Sequence, residues 1–271
     1  MIDIHNRTLN ASYDADERYK MWEQYRNDIS QFITKVSLIG KSVLIVGAGN
    51  LNDIELKIFE SCQVTLLDID VESIERGILR QGFSLDEFTL IEGDLTGLNH
   101  TVFFEKLDET TSESLEIFKE VEIDIHLETY DTIVVLPIYT QLLLPQLVKL
   151  NLTYEGLNIY LPLIQNRIEK VNALLRHHIK DKGLMIVLSD VLEYNARSEE
   201  GQYLNANRYQ NIILEEFYNR YLENFGHGLG SYGIYEMNQF YRTVFKDFFV
   251  WPFDSKRVML IEAQIMKKNS D

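Results

Sequence analysis

Small and acidic residues follow two apolar segments of the chain, at positions where ligand chemistry is favoured. Gly47-Ala48-Gly49-Asn50 comes directly after the apolar run 42–46. Glycines at such a bend let the backbone turn tightly and approach a ligand closely, because a Cβ atom would intrude. Asp68 ends the next apolar run, 21 residues beyond Gly47. Its carboxylate can accept hydrogen bonds from both hydroxyls of a ribose.

Two further segment ends carry polar or aromatic groups. In Gly93-Asp94-Leu95 the carboxylate can accept from the exocyclic amine of an adenine, and the leucine supplies an apolar edge. Leu136-Pro137-Ile138-Tyr139 follows the next apolar run, and Tyr139 is the candidate catalytic residue because its ring or oxygen could contact a cationic centre. Each feature also has a plainer interpretation as a packing glycine, a helix cap, a turn or a packed aromatic ring.

These positions depend on strands that alternate with helices along the chain. The apolar runs predict strands at 42–46, 64–68, 88–94, 132–136 and 184–188, then a strand pair at 248–251 and 258–263. Spacing of three and four residues predicts helices at 14–38, 52–61, 71–81 with Asp70 as cap, 112–121, 153–180 and 211–224. Residues 190–211 are predicted to form a polar, tyrosine-rich loop or lid.

This order predicts a doubly wound α/β fold, with a mostly parallel seven-stranded sheet, helices on both faces and an antiparallel C-terminal strand pair. Residues 1–40 would form an N-terminal helical segment that could close over a ligand. Residues 41–271 would form the Rossmann-like domain, with an acidic surface insertion at about 105–130. Ligands of such sheets bind at the carboxyl ends of the strands, near the switch in strand order.

Composition narrows the class of partner. The 271 residues carry 42 acids against 26 lysines and arginines, a net charge of -16 that repels a phosphate backbone. We therefore expect a small-molecule partner and no nucleic acid. The single cysteine, Cys62, suits a reducing compartment, and neither a signal peptide nor a membrane-spanning run is expected, so we predict a cytoplasmic protein. The six histidines show no metal-ligand spacing.

Taken together, the order and spacing of these residues resemble the class I S-adenosylmethionine-dependent methyltransferase family, over about residues 42–136. The resemblance implies that Gly47, Ala48 and Gly49 line the methionine and ribose part of the methyl donor and that Asp68 holds the ribose. It also implies that Ile69 flanks the adenine and that Asp94 and Leu95 contact the edge of the adenine. The remaining donor contacts that it implies are Asn50, Leu136 and Pro137. The implied activity is in-line transfer of a methyl group to a small molecule.

Three alternatives are weighed against this resemblance. The family's usual acid two residues before the first glycine is Ile45 here, and no clear base follows the fourth strand, which also suits a non-catalytic donor-binding or scaffold protein. An NAD(P)-dependent oxidoreductase would need a third glycine where Asn52 stands. An aminopropyl-transfer enzyme resembles a pattern with an acid after the fourth strand, where Leu136 and Pro137 stand instead.

Overall fold

One mixed sheet organises the chain. The computed structural model describes residues 15–98, 103, 112–148 and 154–269. Within these ranges the sheet has seven strands, in the order β3-β2-β1-β4-β5-β7-β6. They are β1 (Ser42–Val46), β2 (Gln63–Asp68), β3 (Phe88–Glu92), β4 (Tyr130–Val135), β5 (Ile179–Asn195), β6 (Tyr241–Trp251) and β7 (Arg257–Lys268).

Strand direction follows the prediction. β1 pairs in parallel with β2 and β4, β2 pairs with β3 and β4 pairs with β5. β7 runs antiparallel to both β5 and β6. The residues Val43 to Val46 of β1 are fully buried because helices cover both faces of a parallel sheet. The predicted fold class is confirmed.

Helices cover the sheet on both sides. They are α1 (Ala15–Met21), α2 (Glu23–Ile33), α3 (Val71–Arg80), α4 (Ser112–Lys119), α5 (Leu144–Val148), α6 (Tyr154–His177), α7 (Glu199–Ala206), α8 (Asn211–Phe225) and α9 (Leu229–Met237). The apolar side of α2 packs on one face of the central strands, where Tyr25, Ile29 and Phe32 join the same core as Ile45. α6 and α9 pack on the other face, in a core that contains Leu44.

Two predicted elements differ from the structure. The predicted helix 52–61 is only a 3-10 turn, Leu56–Phe59. The side chain of Gln81 explains this, because its Nε2 donates to the carbonyls of Leu51 and Ile54 at 2.9 Å each, and its Oε1 accepts from the N–H of Leu56. Backbone groups that a helix would pair internally are therefore paired with α3.

The second half of the chain is more regular than predicted. The predicted loop or lid at 190–211 is wrong, because β5 continues to Asn195 and α7 follows. The residues 192–195 pair with β7 across a bulge, which satisfies their backbone groups. The helix α9 was not predicted, since its glycines and the preceding Gly226 and Gly228 indicate a turn.

The acidic segment is attached to the core more firmly than an insertion on the surface would be. Arg167 of α6 has no exposed surface and donates to the carbonyls of Thr96, Lys119 and Val121. Leu115 of α4 is 2% exposed and packs in the same core. The buried guanidinium holds the carbonyls that follow β3 and α4, so this part of the segment helps to build the fold. Residues 105–111 of the prediction lie outside the described residues.

Candidate functional site

The carboxyl ends of the parallel strands form one edge of the sheet, and the strand order reverses there. β1 lies between β2 and β4, so the connection after β1 runs to one side and the connection after β4 to the other. Such a reversal leaves a crevice outside the strand ends. The bend after β1, the ends of β2 and β3, and the loop after β4 all meet this edge.

The glycine bend is built against β2 by backbone hydrogen bonds. The N–H groups of Gly47 and Ala48 both donate to the carbonyl of Leu67, at 2.9 and 3.2 Å. Gly47 has a φ of 75° and Gly49 a φ of 49°, a backbone conformation in which a side chain is strained. The bend thus has one fixed path, and its free side faces the crevice.

The two glycines of the bend face different surroundings. A Cβ atom on Gly47 would lie 2.0 Å from Cγ2 of Ile138, so this glycine is required by packing against the loop after β4. A Cβ atom on Gly49 would meet nothing closer than the carbonyl oxygen of Gly47 at 4.0 Å. The open space therefore lies over Gly49, which is where a ligand can approach the backbone.

Asp68 is joined directly to the bend. Its Oδ2 accepts from the N–H of Gly49 at 2.8 Å, and its Oδ1 accepts from the N–H of Asp70 at 3.0 Å. Burial raises the pKa of Asp68 to about 6, while these two hydrogen bonds act in the opposite direction. The side chain remains partly exposed at the strand edge. One carboxylate thus fixes the loop and keeps further lone pairs for a ligand.

Asp94 lies at the same edge, one strand further on. Asp68 is in register with Glu92 of β3, and the N–H of Gly93 donates to the carbonyl of Asp68 at 3.0 Å. Oδ1 of Asp94 accepts from both the N–H and the hydroxyl of Thr96, at 2.9 and 2.6 Å. The structure therefore brings the glycine bend and both carboxylates to one rim of the sheet.

The other residues of the predicted donor site flank this rim. Ile69 and Asn50 are partly exposed, and the carbonyl of Asn50 accepts from Arg80 at 3.4 Å. Leu95 is 9% exposed beside Asp94. Leu136 and Pro137 are buried, and the N–H of Leu136 donates to the carbonyl of Val46. Leu136 and Pro137 thus lie at the base of the crevice, next to the end of β1.

Tyr139 does not occupy the catalytic position proposed from the sequence. Its side chain is 1% exposed, and its hydroxyl donates to Oδ1 of Asn172 on α6 at 2.7 Å. The ring fills the space above Gly233, where a Cβ atom would lie 2.4 Å from ring carbons. Burial also raises the pKa of the hydroxyl. Tyr139 therefore joins the loop after β4 to α6 and α9 as a packing residue.

Acidic groups on the β4 and β5 side carry chemistry that the donor motif does not include. Asp190 near the carboxyl end of β5 is 9% exposed, and its Oδ2 accepts from the hydroxyl of Thr140 at 2.6 Å. The charge of Asp190 also raises the pKa of Asp53 in the bend and that of Tyr25 on α2. Asp190 follows a buried apolar run of β5, and no sequence pattern links it to Asp53 and Tyr25.

Two other features are absent from the described ranges. No group of three or more His, Cys, Asp or Glu side chains there is arranged to hold a metal ion. In the same ranges, no helix combines the length and hydropathy needed to cross a membrane.

The strand order decides the fold family. Five parallel strands ordered β3-β2-β1-β4-β5, with β7 antiparallel between β5 and β6, form the sheet that the resemblance implies. The chain has the doubly wound, Rossmann-like α/β fold that was predicted from the sequence.

Comparison with known proteins finds distant similarity to solved structures. No family profile matches the sequence, and no curated protein sequence matches it significantly. The chain is similar to the N-methyltransferase NodS from Bradyrhizobium japonicum in complex with S-adenosyl-L-homocysteine, with 13% identity, 89% of this chain and 87% of NodS covered, and a TM-score of 0.42. TehB from Haemophilus influenzae gives 11% identity, 90% and 62% coverage and a TM-score of 0.45.

A third neighbour is TrmN from Thermus thermophilus, with 10% identity, 89% and 48% coverage and a TM-score of 0.42. At these identities and TM-scores, no residue role, activity or acceptor follows from the neighbours.

Proposed function

We propose that this chain is an S-adenosylmethionine-dependent methyltransferase that acts on a small molecule by in-line methyl transfer. The observation that carries the proposal is the contact between Asp68 and the N–H of Gly49, at the carboxyl edge beside the reversal of strand order. This contact places the Asp68 carboxylate beside the open space over Gly49. A ribose bound there could donate its hydroxyl groups to the carboxylate while lying against the glycine backbone.

The residues present fit the methyl donor. Space is open over Gly49, Asp68 is partly exposed, and Asp94 with Leu95 stands on the neighbouring strand end to receive an adenine. S-adenosylmethionine supplies a methyl group on a positively charged sulfur, and its transfer leaves S-adenosylhomocysteine. The chain contributes alignment and exclusion of water, which can supply most of the rate enhancement of an in-line displacement.

The short turn after the glycine bend favours this donor over a dinucleotide. A pyrophosphate is bound by the N-terminus of a helix that follows the glycine-rich loop. Here all residues from Gly49 to Asp70 are described, and the bend leads only to the 3-10 turn Leu56–Phe59. Asn52, at the position of the third glycine, is 1% exposed and accepts from Arg80 at 2.6 Å. These features count against an NAD(P)-dependent oxidoreductase.

The acceptor class follows from charge. A net charge of -16 opposes the phosphate neutralisation on which nucleic-acid binding rests. A small molecule is therefore the proposed acceptor. A non-catalytic donor-binding protein is the second candidate, because Tyr139 is buried in packing and Ile45 replaces the family's acid.

Calorimetric titration of S-adenosylmethionine tests the donor site. We expect the wild-type protein to bind, and Asp68→Ala to bind about 100-fold more weakly, because two charge-assisted hydrogen bonds contribute roughly 1.5 kcal/mol each. Asp181→Ala is the matched control, since the side chain of Asp181 is 99% exposed at the opposite end of β5. Equal affinity in wild type and Asp68→Ala would remove Asp68 from the site.

Turnover separates the enzyme from the non-catalytic candidate. A donor labelled in its methyl group is incubated with fractions of metabolites, peptides and RNA, and the labelled product is identified. The proposal expects label in the metabolite fraction. Stoichiometric donor binding with no product from any fraction would favour the binding protein, and strong labelling of RNA would overturn the charge argument.

A further inference from the structure

Three buried oxygen atoms on the β4 and β5 side of the crevice have no hydrogen-bond partner. They are Oη of Tyr25, Oδ1 of Asp53 and Oδ1 of Asp190, among the side chains that the structure describes. Tyr25 is 2% exposed and Asp190 is 9% exposed. A buried polar group without a partner costs about 1–3 kcal/mol, and more when it is charged. Such atoms in one place indicate a missing ligand group.

The three side chains come from different elements that meet at the reversal of strand order. Tyr25 is on α2, Asp53 is in the bend after β1, and Asp190 is near the carboxyl end of β5. Asp190 continues the row of Ile186 and Leu188, which face the same core as Tyr25. The bend and α2 are in direct contact, because Nη1 of Arg26, next to Tyr25, donates to the carbonyl of Asn52, next to Asp53, at 3.3 Å. The charges of Asp53 and Asp190 both raise the pKa of Tyr25, and the charge of Asp190 raises that of Asp53.

Asp190 is held in one orientation while its second oxygen stays available. Thr140, in the loop after β4, donates to Oδ2 at 2.6 Å and leaves Oδ1 without a partner in the described structure. Burial raises the pKa of Asp190 to about 6, and the charge of Glu193 raises it further. At pH 8 both Asp190 and Asp53, whose pKa burial raises to about 7, are mostly ionised. Two carboxylates of the cluster are then ionised, and that of Asp190 has no cation among the charges that act on it.

The two arginines near Asp53 also contact other groups, although their charges act on Asp53 more strongly than the charge of Asp190 does. Nε of Arg26 pairs with Glu55, its NH1 donates to the carbonyl of Tyr19 at 2.7 Å, and its guanidinium lies 3.6 Å from the centre of the Tyr19 ring. The guanidinium of Arg18 lies over the ring of Phe253 at 5.1 Å. The positive charges of Arg26 and Arg18 lower the pKa of Asp53, but burial, which raises this pKa, has the larger effect. Asp190 has no cation among the causes of its pKa shift.

The cluster lies on the reacting side of the crevice and not beside the ribose. Asp68 ends β2 and Asp190 lies near the end of β5, and the order β2-β1-β4-β5 separates them by three strand spacings. At about 4.8 Å per spacing this is roughly 14 Å. A donor held at Asp68 and Gly49 would therefore have its transferable end directed toward β4 and β5, where an acceptor must approach.

We propose that Tyr25, Asp53 and Asp190 bind the protonated amino group of the methyl acceptor, which makes the acceptor a small amine. The inference rests on the proposed function, because it assigns the second substrate of the same site. An ammonium group has three donors, and the cluster presents three acceptor atoms that lack partners in the described structure.

Paired probes test the charge requirement. Butylamine is compared with butanol, and benzylamine with benzyl alcohol, by calorimetry at pH 8 with the protein saturated with S-adenosylhomocysteine. We expect each amine to bind at least tenfold more tightly than its alcohol. In Asp190→Asn and in Asp53→Asn this preference should fall to below threefold. Tyr25→Phe should weaken amines while leaving the alcohols unchanged.

Glu193→Gln is the matched control, because Glu193 is also on β5 near Asp190 but its side chain is 52% exposed. It should keep the full preference for amines. A thermal unfolding midpoint at or above that of wild type verifies that each variant is folded. Equal binding of amines and alcohols by wild type would overturn the proposal, as would a preference that survives in both Asp190→Asn and Asp53→Asn.

The donor is measured separately, so that the two proposals fail in different ways. S-adenosylhomocysteine is titrated without amine, and its affinity in Asp190→Asn should stay within twofold of wild type. A tenfold loss there, with amine binding unchanged, would assign the cluster to the donor's own amino group and overturn the acceptor proposal. No binding of S-adenosylhomocysteine by wild type would overturn the proposed function, whereas binding without any preference for amines overturns only this inference.

Discussion

The carboxylates on the two sides of the crevice differ in how completely they are hydrogen-bonded. On the β2 and β3 side, Asp68 accepts from two backbone N–H groups and Asp94 accepts from Thr96. On the β4 and β5 side, Oδ1 of Asp190 and Oδ1 of Asp53 are buried with no partner in the described structure. The first pair is preorganised by the backbone around it. The second pair is left incomplete, which is the state expected of groups that await a ligand.

The difference shows where local sequence determines a site and where the fold does. A carboxylate that holds its own loop needs only neighbours along the chain or on the next strand. A cluster such as that of Tyr25, Asp53 and Asp190 exists only after a helix, a bend and a distant strand have packed together. The following substitutions test this comparison, starting with the largest expected effect.

Gly47→Ala should disturb the contact that joins the two sides. The new Cβ atom would lie 2.0 Å from Cγ2 of Ile138, at a residue with a φ of 75°. Overpacking and backbone strain together should lower the free energy of unfolding by about 3 kcal/mol, as measured by urea denaturation. Gly49→Ala adds only backbone strain and should cost about 1 kcal/mol while weakening donor binding. An equal cost for the two variants would contradict the assignment of the open space to Gly49.

Asp190→Asn should stabilise the protein at pH 8 by roughly 2 kcal/mol, because an uncharged amide replaces a buried carboxylate. The folded-state pKa of about 6 lies above the ordinary 3.8, so wild type loses stability as the pH rises from about 4 to about 6. The difference between the two proteins should therefore vanish below pH 4 and be constant above pH 7, in urea unfolding at several pH values.

Replacing Asp68 by asparagine tests whether the carboxylates on the two sides of the crevice differ in their effect on stability. Asp68→Asn should bring little or no gain, since the amide nitrogen would face the N–H of Gly49 or of Asp70 and lose one hydrogen bond. A gain at Asp68 that matched the gain at Asp190 would remove the contrast between a completed and an incomplete carboxylate.

Tyr139→Phe should have the smallest effect. It removes the hydroxyl that donates to Asn172 at 2.7 Å and should lower the free energy of unfolding by about 1 kcal/mol. Because the ring is buried in packing, kcat on an identified acceptor should stay within twofold of wild type. A tenfold loss of kcat with unchanged stability would return Tyr139 to the catalytic site.

The sequence predicts the strand ends around Asp68 well and the surroundings of Tyr139 poorly, for physical reasons. The runs that end at Val46, Asp68 and Glu92 are short buried strands, so their ends and their order in one sheet follow from local pattern. The burial of Tyr139 could not be predicted, because its position after β4 does not show which way the ring turns, and Gly233, almost a hundred residues later, provides its space. The extension of β5 to Asn195 likewise depends on pairing with β7.

A crystal structure with S-adenosylhomocysteine tests the central claim most directly. The account predicts the adenosine at the carboxyl edge, with both ribose hydroxyls within about 3 Å of the Asp68 carboxylate and the ligand backbone over Gly49. Adenosine bound at the opposite edge of the sheet, for example in the cavity lined by Arg176, Phe240 and Lys268, would contradict it.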